Sequence, residues 1–375
     1  MAEVYGVCDE KFAGVRDLLS ASIDRGDDVG ASFALTVEGE MVVDLWGGHL
    51  DEARTQPWQQ DTIVNVYSST KTMSFLCALL LADRGQLDFD SNVADYWPEF
   101  AQNGKQSVKV WHFMNHAAGL SGMDDHMTPE DMYDWDKMVT TLAAQAPWWE
   151  PGSVSGYHAL TQGYLIGELV RRITGKTLGT YFQEEIAVPL NADFHIGVPE
   201  SEFSRIGRLI PAGDGGAPSA EDDSIAARTF ASPFAPATES WTEGWRRAEI
   251  PAANGHSNAR AIARLQAPLA CKGSAFGVDL FSKETAESVM RARISGKDLV
   301  LGVPIAFGLG FGLNSDVMPL SPNPNTCFWG GWGGSSVVVD QDASLSASFV
   351  MNKMFPGLMG DTRSFGLLQA VYQSL

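Results

Sequence analysis

The chain has 375 residues, 45% of them hydrophobic and 19% charged, which is ample material for a core and, at this length, for two domains or one large one. Its 26 Lys and Arg stand against 46 Asp and Glu, a formal net charge of −20, so the basic face that nucleic acid or an anionic membrane demands is missing. No low-complexity tract, solenoid-period repeat or apolar run near the ~20 residues that span a bilayer is present.

In chain order, the start MAEVYGVCDEKF lacks the basic n-region and apolar stretch of a signal peptide, and the chain reads as a soluble, cytoplasmic protein. Cys8, Cys77, Cys271 and Cys327 lie far apart without CxxC spacing, which points to neither a zinc site nor a disulfide framework. Residues 10–25 place apolar side chains at helical spacing and stop at Gly26. Residues 32–48 alternate around Glu38-Gly39-Glu40, the pattern of a β-hairpin. From Ser68 to Arg84 the spacing predicts a helix that is apolar nearly all round, stopped by Gly85; such a helix belongs in the centre of the molecule.

From about 90 to 250 the pattern changes. Helical periodicity recurs at 129–145 and 160–175, and 198–250, rich in Pro, Ser, Ala and Gly, reads as a long excursion or lid that helps shape a cleft. A helix returns at 253–270. Residues 305–352 then read as successive strands, and a helix over 361–374 closes the chain. The expected architecture is α/β of the α+β type: an antiparallel sheet flanked by helices, built discontinuously from 1–90 and 251–375. A mainly helical domain, 91–250, is inserted and shapes the cleft between the two.

Three segments carry candidate chemistry. Ser68-Ser69-Thr70-Lys71 opens the apolar helix, where unpaired N–H groups and the positive dipole end favour developing negative charge. One turn brings Ser68 and Lys71 to the same side, and burial there would lower the lysine pKa and fit it to take the serine proton. Alone, the pair reads more readily as a helix cap and a solvated lysine. Tyr157 follows the turn-rich Trp149-Glu150-Pro151-Gly152 segment at a loop-to-helix junction; a lysine ammonium nearby would ease ionisation of its phenol, fitting it for general base work. Phe328-Trp329-Gly330-Gly331-Trp332-Gly333-Gly334-Ser335 puts four glycines on or beside a strand, which marks a close approach to the backbone and N–H groups available to a carbonyl oxygen. Read without partners, these last two segments are also a packed loop tyrosine and a β-bulge with two core tryptophans.

The order SxxK, then Pro-Gly followed by Tyr, then Trp-Gly-Gly resembles the serine β-lactamase and penicillin-binding-protein superfamily, and within it the class C β-lactamase-like carboxylesterases (family VIII esterases). Gly30-Ala31-Ser32, Asp44-Leu45-Trp46-Gly47-Gly48, His116-Ala117-Ala118-Gly119-Leu120 and Pro189-Leu190 extend the resemblance from about residue 12 to the C-terminus. It implies a β-lactamase/transpeptidase-like fold, Ser68 as acylated nucleophile, Lys71 as its activating partner, and Tyr157 as the base that also protonates the leaving alcohol. The backbone N–H groups of Ser68 and Trp332 would form the oxyanion hole, with Trp329, Gly330, Gly331 and His158 against the substrate. Trp148, Trp149, Trp329 and Trp332 would line an apolar cleft. Two departures bear on substrate: the family's Tyr-x-Asn is Tyr157-His158-Ala159 here, and the third triplet lacks its lysine. Both disfavour β-lactams and D-Ala-D-Ala peptides and leave a small, neutral, short-acyl ester as the expected partner.

The alternatives are a β-lactamase or D-amino-acid-specific peptidase and, from a different class, a penicillin-binding-like binder that does not turn over. A Ser-His-Asp hydrolase with a GxSxG elbow is excluded, since no serine is flanked in that way. None of the seven histidines has a metal-ligand spacing, and neither metal nor organic cofactor is implied. The sequence carries no signature of an oligomeric state.

Overall fold

The computed structural model describes residues 2–213 and 223–375. Its frame is a nine-stranded antiparallel sheet in the order Val4–Cys8, Glu40–Gly48, Gly30–Val37, Leu345–Met351, Ser336–Asp340, Thr326–Gly330, Gly312–Leu313, Pro304–Phe307 and Ile294–Lys297. The two ends of the chain meet at its middle, where Phe33 lies opposite Phe349 and Ser32 opposite Val350.

Alternation along these strands assigns each face its cover. The Ser32 hydroxyl accepts the Ala259 N–H at 3.2 Å, and Ser346 donates to the Ala263 carbonyl at 2.9 Å, so the Ala259–Ala270 helix lies on that face. Phe33 points the other way and faces Leu368 of the Thr362–Ser374 helix across a small cavity; that helix packs against the Ala13–Arg25 helix. Covered on both sides, Leu345–Met351 is buried at every position, and its two serines, Ser346 and Ser348, bond backbone carbonyls rather than water. The hairpin between Gly30–Val37 and Glu40–Gly48 turns through Glu38 and Gly39, both at positive φ, the backbone that a two-residue turn of matching twist needs.

Outside the sheet, packing centres on one buried helix. Lys71–Asp83 is buried from Lys71 through Leu81 and lies against the Thr161–Thr174 helix. Here the structure refines two sequence expectations. The helix predicted over 68–84 is in two parts, a 3-10 turn at Tyr67–Thr70 and an α-helix from Lys71, because the chain tightens where Ser69 N–H reaches back to the Val66 carbonyl at 3.2 Å. The helix predicted over 253–270 begins only at Ala259, capped by Asn258 Oδ1. Just before it, His256–Ser257 pairs with Val64–Asn65 and Phe194–His195 in a small sheet.

The 198–250 excursion consists, in its described part, of the short helices Glu200–Arg205, Ile225–Ala231, Ala237–Trp241 and Glu243–Arg247; residues 214–222 of it lie outside the described residues. Among the described residues no helix is long and apolar enough to cross a membrane.

Candidate active site

Ser68 sits on the 3-10 turn at the entrance to the central helix, directly after Tyr67, a non-glycine residue at φ +42°. That conformation costs roughly 1–3 kcal/mol and persists only where packing imposes it. Here the Tyr67 ring is held between Trp332 and Trp245, at centroid distances of 5.0 and 6.3 Å, and its hydroxyl donates to the Ala237 carbonyl.

Three polar groups converge. Ser68 Oγ lies 2.5 Å from Tyr157 Oη and 3.3 Å from Lys71 Nζ. Lys71 is fully buried and also donates to the carbonyls of Ala159 at 2.6 Å and Ala252 at 2.9 Å. Desolvation pushes its amine well below the ordinary lysine value. A neutral amine has two N–H donors and one lone pair. In that form, which burial favours, the carbonyls of Ala159 and Ala252 can take both donors and the lone pair would face Ser68 Oγ.

Tyr157 behaves differently from the sequence expectation of an easily ionised phenol. Its hydroxyl is raised above the usual tyrosine value, chiefly by burial and further by the Asp298 carboxyl, against a lowering contribution from the Ser68 hydrogen bond. Burial likewise drives Lys71 towards its neutral form, which weakens the offset an ammonium would give. A phenol raised in this way keeps its proton at neutral pH, so its O–H is able to donate in the short bond it shares with Ser68 Oγ.

The glycine-rich strand reaches the same place by close backbone approach. A Cβ on Gly331 would lie 2.2 Å from the Val66 carbonyl oxygen, and one on Gly330 would lie 2.7 Å from the backbone of Met359. Ser335 stitches the two segments together, donating to the Val66 carbonyl at 2.8 Å and sharing a 2.8 Å bond with Ser69 Oγ. Trp332, next in the chain, lines one cavity with Ser68 and Tyr157.

That cavity, about 90 Å³, is walled by Tyr67, Leu160, Phe230, Phe234, Trp245 and Leu358, among others, and among the described residues no Asp, Glu, Lys or Arg side chain lines it. The structure thus brings Ser68, Lys71, Tyr157 and Trp332 together. It does not bring the other expected substrate contacts to this cavity. Trp329 is buried behind Tyr157, its ring stacked 5.5 Å from His116, because its strand alternation turns it into the core. Gly330 and Gly331 serve backbone packing against Met359 and Val66.

His158 is also buried: its Nε2 accepts the Leu120 N–H, its Nδ1–H donates to the Gly156 carbonyl, and burial pushes it down to about 3. It is a neutral brace for the Tyr157 loop. The expected cluster of tryptophans is corrected as well. Trp148 lies under Arg228 with its N–H on Asp124, and Trp149 bonds the Val154 carbonyl, so of the four only Trp332 lines the cavity.

Sequence reasoning missed Tyr67, Trp245, Phe230 and Phe234, which come from the helix entrance and the excursion, and Asp298, which has no motif around it. The Ser335 hydroxyl was legible only as part of the glycine-rich window. Among the described residues no group of three or more His, Cys, Asp or Glu is placed to hold a metal ion.

Comparison with known proteins places this geometry in context. The model of the family described as Beta-lactamase matches residues 15–371. Esterase/beta-lactamase LipL of Mycobacterium tuberculosis (strain ATCC 25618 / H37Rv) is 34% identical over 385 residues, covering 99% of this chain and 88% of that protein. Among solved structures, a family VIII carboxylesterase is 40% identical with a TM-score of 0.94, and a penicillin-binding protein homologue from Caulobacter crescentus is 40% identical with a TM-score of 0.91. Both structural matches cover 100% of each chain. The chain has the fold of the esterase/β-lactamase hydrolases and belongs to the beta-lactamase family.

Proposed function

We propose that the chain is a serine carboxylesterase that hydrolyses small, neutral, short-acyl esters through an acyl-enzyme on Ser68. The observation that carries this reading is the meeting of Ser68 with Lys71 and Tyr157 at a small apolar cavity that Ser68 and Tyr157 line and that, among the described residues, no Asp, Glu, Lys or Arg side chain lines.

The chemistry follows from the hydrogen bonds. Neutral Lys71 takes the Ser68 proton as Oγ attacks the ester carbonyl. The Tyr157 O–H, placed to donate to Oγ, steadies the charge that develops there. The N–H groups of Ser68 and Trp332 are assigned to the carbonyl oxygen as it becomes an oxyanion. When the tetrahedral intermediate collapses, Tyr157 gives its proton to the departing alkoxide and is recharged from the Lys71 ammonium, which shares Ser68 Oγ with the phenol as a neighbour. Water then enters, surrenders a proton to Lys71 and attacks the acyl carbon, and Ser68 leaves with a proton restored to it. Tyr157 is thus a proton donor first, with Lys71 as the base.

The apolar walls support a neutral substrate. A carboxylate such as that of a β-lactam would enter a cavity with no Lys or Arg on its lining among the described residues, in a chain of net charge −20, and would carry a desolvation cost. The same charge supports a small-molecule partner over nucleic acid or an anionic membrane.

The test is hydrolysis of p-nitrophenyl esters from acetate to decanoate, with nitrocefin alongside. Turnover is expected with the short acyl chains, loss in Ser68→Ala, and nitrocefin hydrolysis that is slow or absent. Full activity in Ser68→Ala would overturn the nucleophile. Nitrocefin rates equal to those on esters would favour a β-lactamase, the reading that the Mycobacterium relative's name also allows. Acylation without turnover would favour a binder.

A further inference from the structure

Tyr157 stands on a loop, and a loop does not by itself hold a phenol 2.5 Å from a serine. The loop is tied down from 141 residues away in sequence. Asp298, in the segment leading to strand Pro304–Phe307, is fully buried, and its Oδ1 accepts three backbone N–H groups: Tyr157 at 3.0 Å, Val300 at 2.9 Å and Leu301 at 2.8 Å. The last two are the ordinary bonds of an aspartate closing its own turn. The first is not local.

A second tie runs beside it, from the Leu299 N–H to the Ser155 carbonyl at 2.9 Å. Gly156 fits between them only because it lacks a Cβ, which would lie 3.4 Å from that of Leu299 and 2.6 Å from the Trp149 ring. An aspartate that merely shapes a surface turn gains nothing from burial. Here Oδ2 is buried without a hydrogen-bond partner among the described residues, an arrangement that costs stability.

We propose that Asp298 is a positioning residue for Tyr157: it clamps the loop that carries the phenol within reach of Ser68 and sets a negative charge behind it. This rests on the reading of Ser68, Lys71 and Tyr157 given above. The groups that face Tyr157 from each element packed against it are Ser68 and Lys71 from the central helix and its entrance, His116 at 5.0 Å, and Trp329 at 5.7 Å. His116 and Lys71 are both driven towards their neutral forms by burial. Asp298 is then the group whose charge the phenol senses, and that charge opposes loss of the phenolic proton. The consequence is a division of labour: the phenol stays protonated at rest, so removal of the serine proton falls to Lys71.

Two substitutions separate the clamp from the charge. Asp298→Asn keeps an amide oxygen for the three N–H groups and deletes the charge; Asp298→Ala deletes both. In Asp298→Ala, kcat on p-nitrophenyl acetate should fall by about 10²-fold, the scale of a misplaced reacting group, with KM changed less than about twofold. In Asp298→Asn, kcat at neutral pH should stay within about threefold of wild type, while the alkaline descending limb of kcat/KM moves to lower pH as the phenol ionises more readily.

Folding of each variant is checked by circular dichroism, and an Asp298→Ala that does not fold leaves the Asn variant to decide. Wild-type kcat in folded Asp298→Ala would overturn the clamp, and an unmoved alkaline limb in Asp298→Asn would overturn the electrostatic part. A Tyr157→Phe control tells this failure from failure of the parent reading. If Tyr157→Phe keeps wild-type kcat, the assignment of Tyr157 is wrong; if it is inactive while both Asp298 variants are normal, only the role of Asp298 is wrong.

Discussion

Ser335 bonds the main-chain carbonyl of Val66 at 2.8 Å, two residues before Ser68, and so joins the glycine-rich strand to the turn that carries the nucleophile. Gly331 makes this contact possible, since a Cβ there would fall 2.2 Å from the Val66 oxygen and 2.3 Å from Ser335 Oγ. Gly331→Ala must push the two segments apart and shift Trp332 relative to Ser68. The expected result is a fall in kcat on p-nitrophenyl acetate of roughly 10²-fold, the worth of a displaced oxyanion donor, together with a lowered Tm. A variant with wild-type kcat would show that the strand's approach to Val66 has no bearing on catalysis.

The buried amine of Lys71 sets the acid side of the pH profile. Its folded value is depressed, so it is neutral and able to accept a proton above that value and becomes protonated as pH falls through it. Activity in kcat/KM should therefore rise with pH through a limb lying well below the ordinary lysine range. Lys71→Arg replaces the amine by a guanidinium that stays charged at accessible pH. It should be inactive throughout, and measurable turnover at any pH would remove Lys71 from the role of base.

Tyr157→Phe keeps the ring against His116 and Trp329 and deletes only the hydroxyl bonded to Ser68. Stopped-assay kinetics should show kcat reduced about 10²–10⁴-fold, the usual worth of general acid–base catalysis, with the melting temperature nearly unchanged. A loss below about threefold would leave proton delivery to the alcohol with another donor.

Phe230, part of the cavity wall, should help limit acyl length. Phe230→Ala opens the cavity beside Leu160, and each additional methylene buried is worth about 0.8 kcal/mol. The ratio of kcat/KM for octanoate to that for acetate should therefore rise by at least about tenfold. An unchanged chain-length profile would place the acyl group elsewhere.

A stability prediction concerns the opposite face of the sheet. Arg363 meets the fully buried Asp28 at 2.7 Å and Asp361 at 2.6 Å, and donates to the Gly333 carbonyl at 2.9 Å. Arg363→Met would strand the Asp28 carboxyl, and urea denaturation should report a loss of about 3–5 kcal/mol. A loss below about 1 kcal/mol would mean that the pair is worth no more than a surface ion pair.

Local patterns were read from sequence where a residue's neighbours along the chain decide its state. The alternation around Glu38-Gly39 gave the hairpin, and the apolar run after Ser68 gave the buried helix, because burial on all sides leaves no polar stripe. The extended edge strand Val4–Cys8, with three of its five residues exposed, carries little alternation and was passed over. His158, adjacent to Tyr157, was expected at the substrate, yet its backbone path turns the ring into the core.

By itself the sequence determined which residue types could do the chemistry and in what order: a serine and a lysine one turn apart, a tyrosine at a loop junction, and glycines where two backbones touch. Those features are written in spacing, and spacing is local. The tertiary structure alone decided the protonation states and the walls. Burial by distant segments drives Lys71 towards its neutral form, burial and a carboxyl 141 residues away oppose loss of the Tyr157 proton, and the excursion supplies Phe230 and Phe234 to the apolar cavity wall. Desolvation and charge act through space, and no stretch of sequence shows which groups will share it.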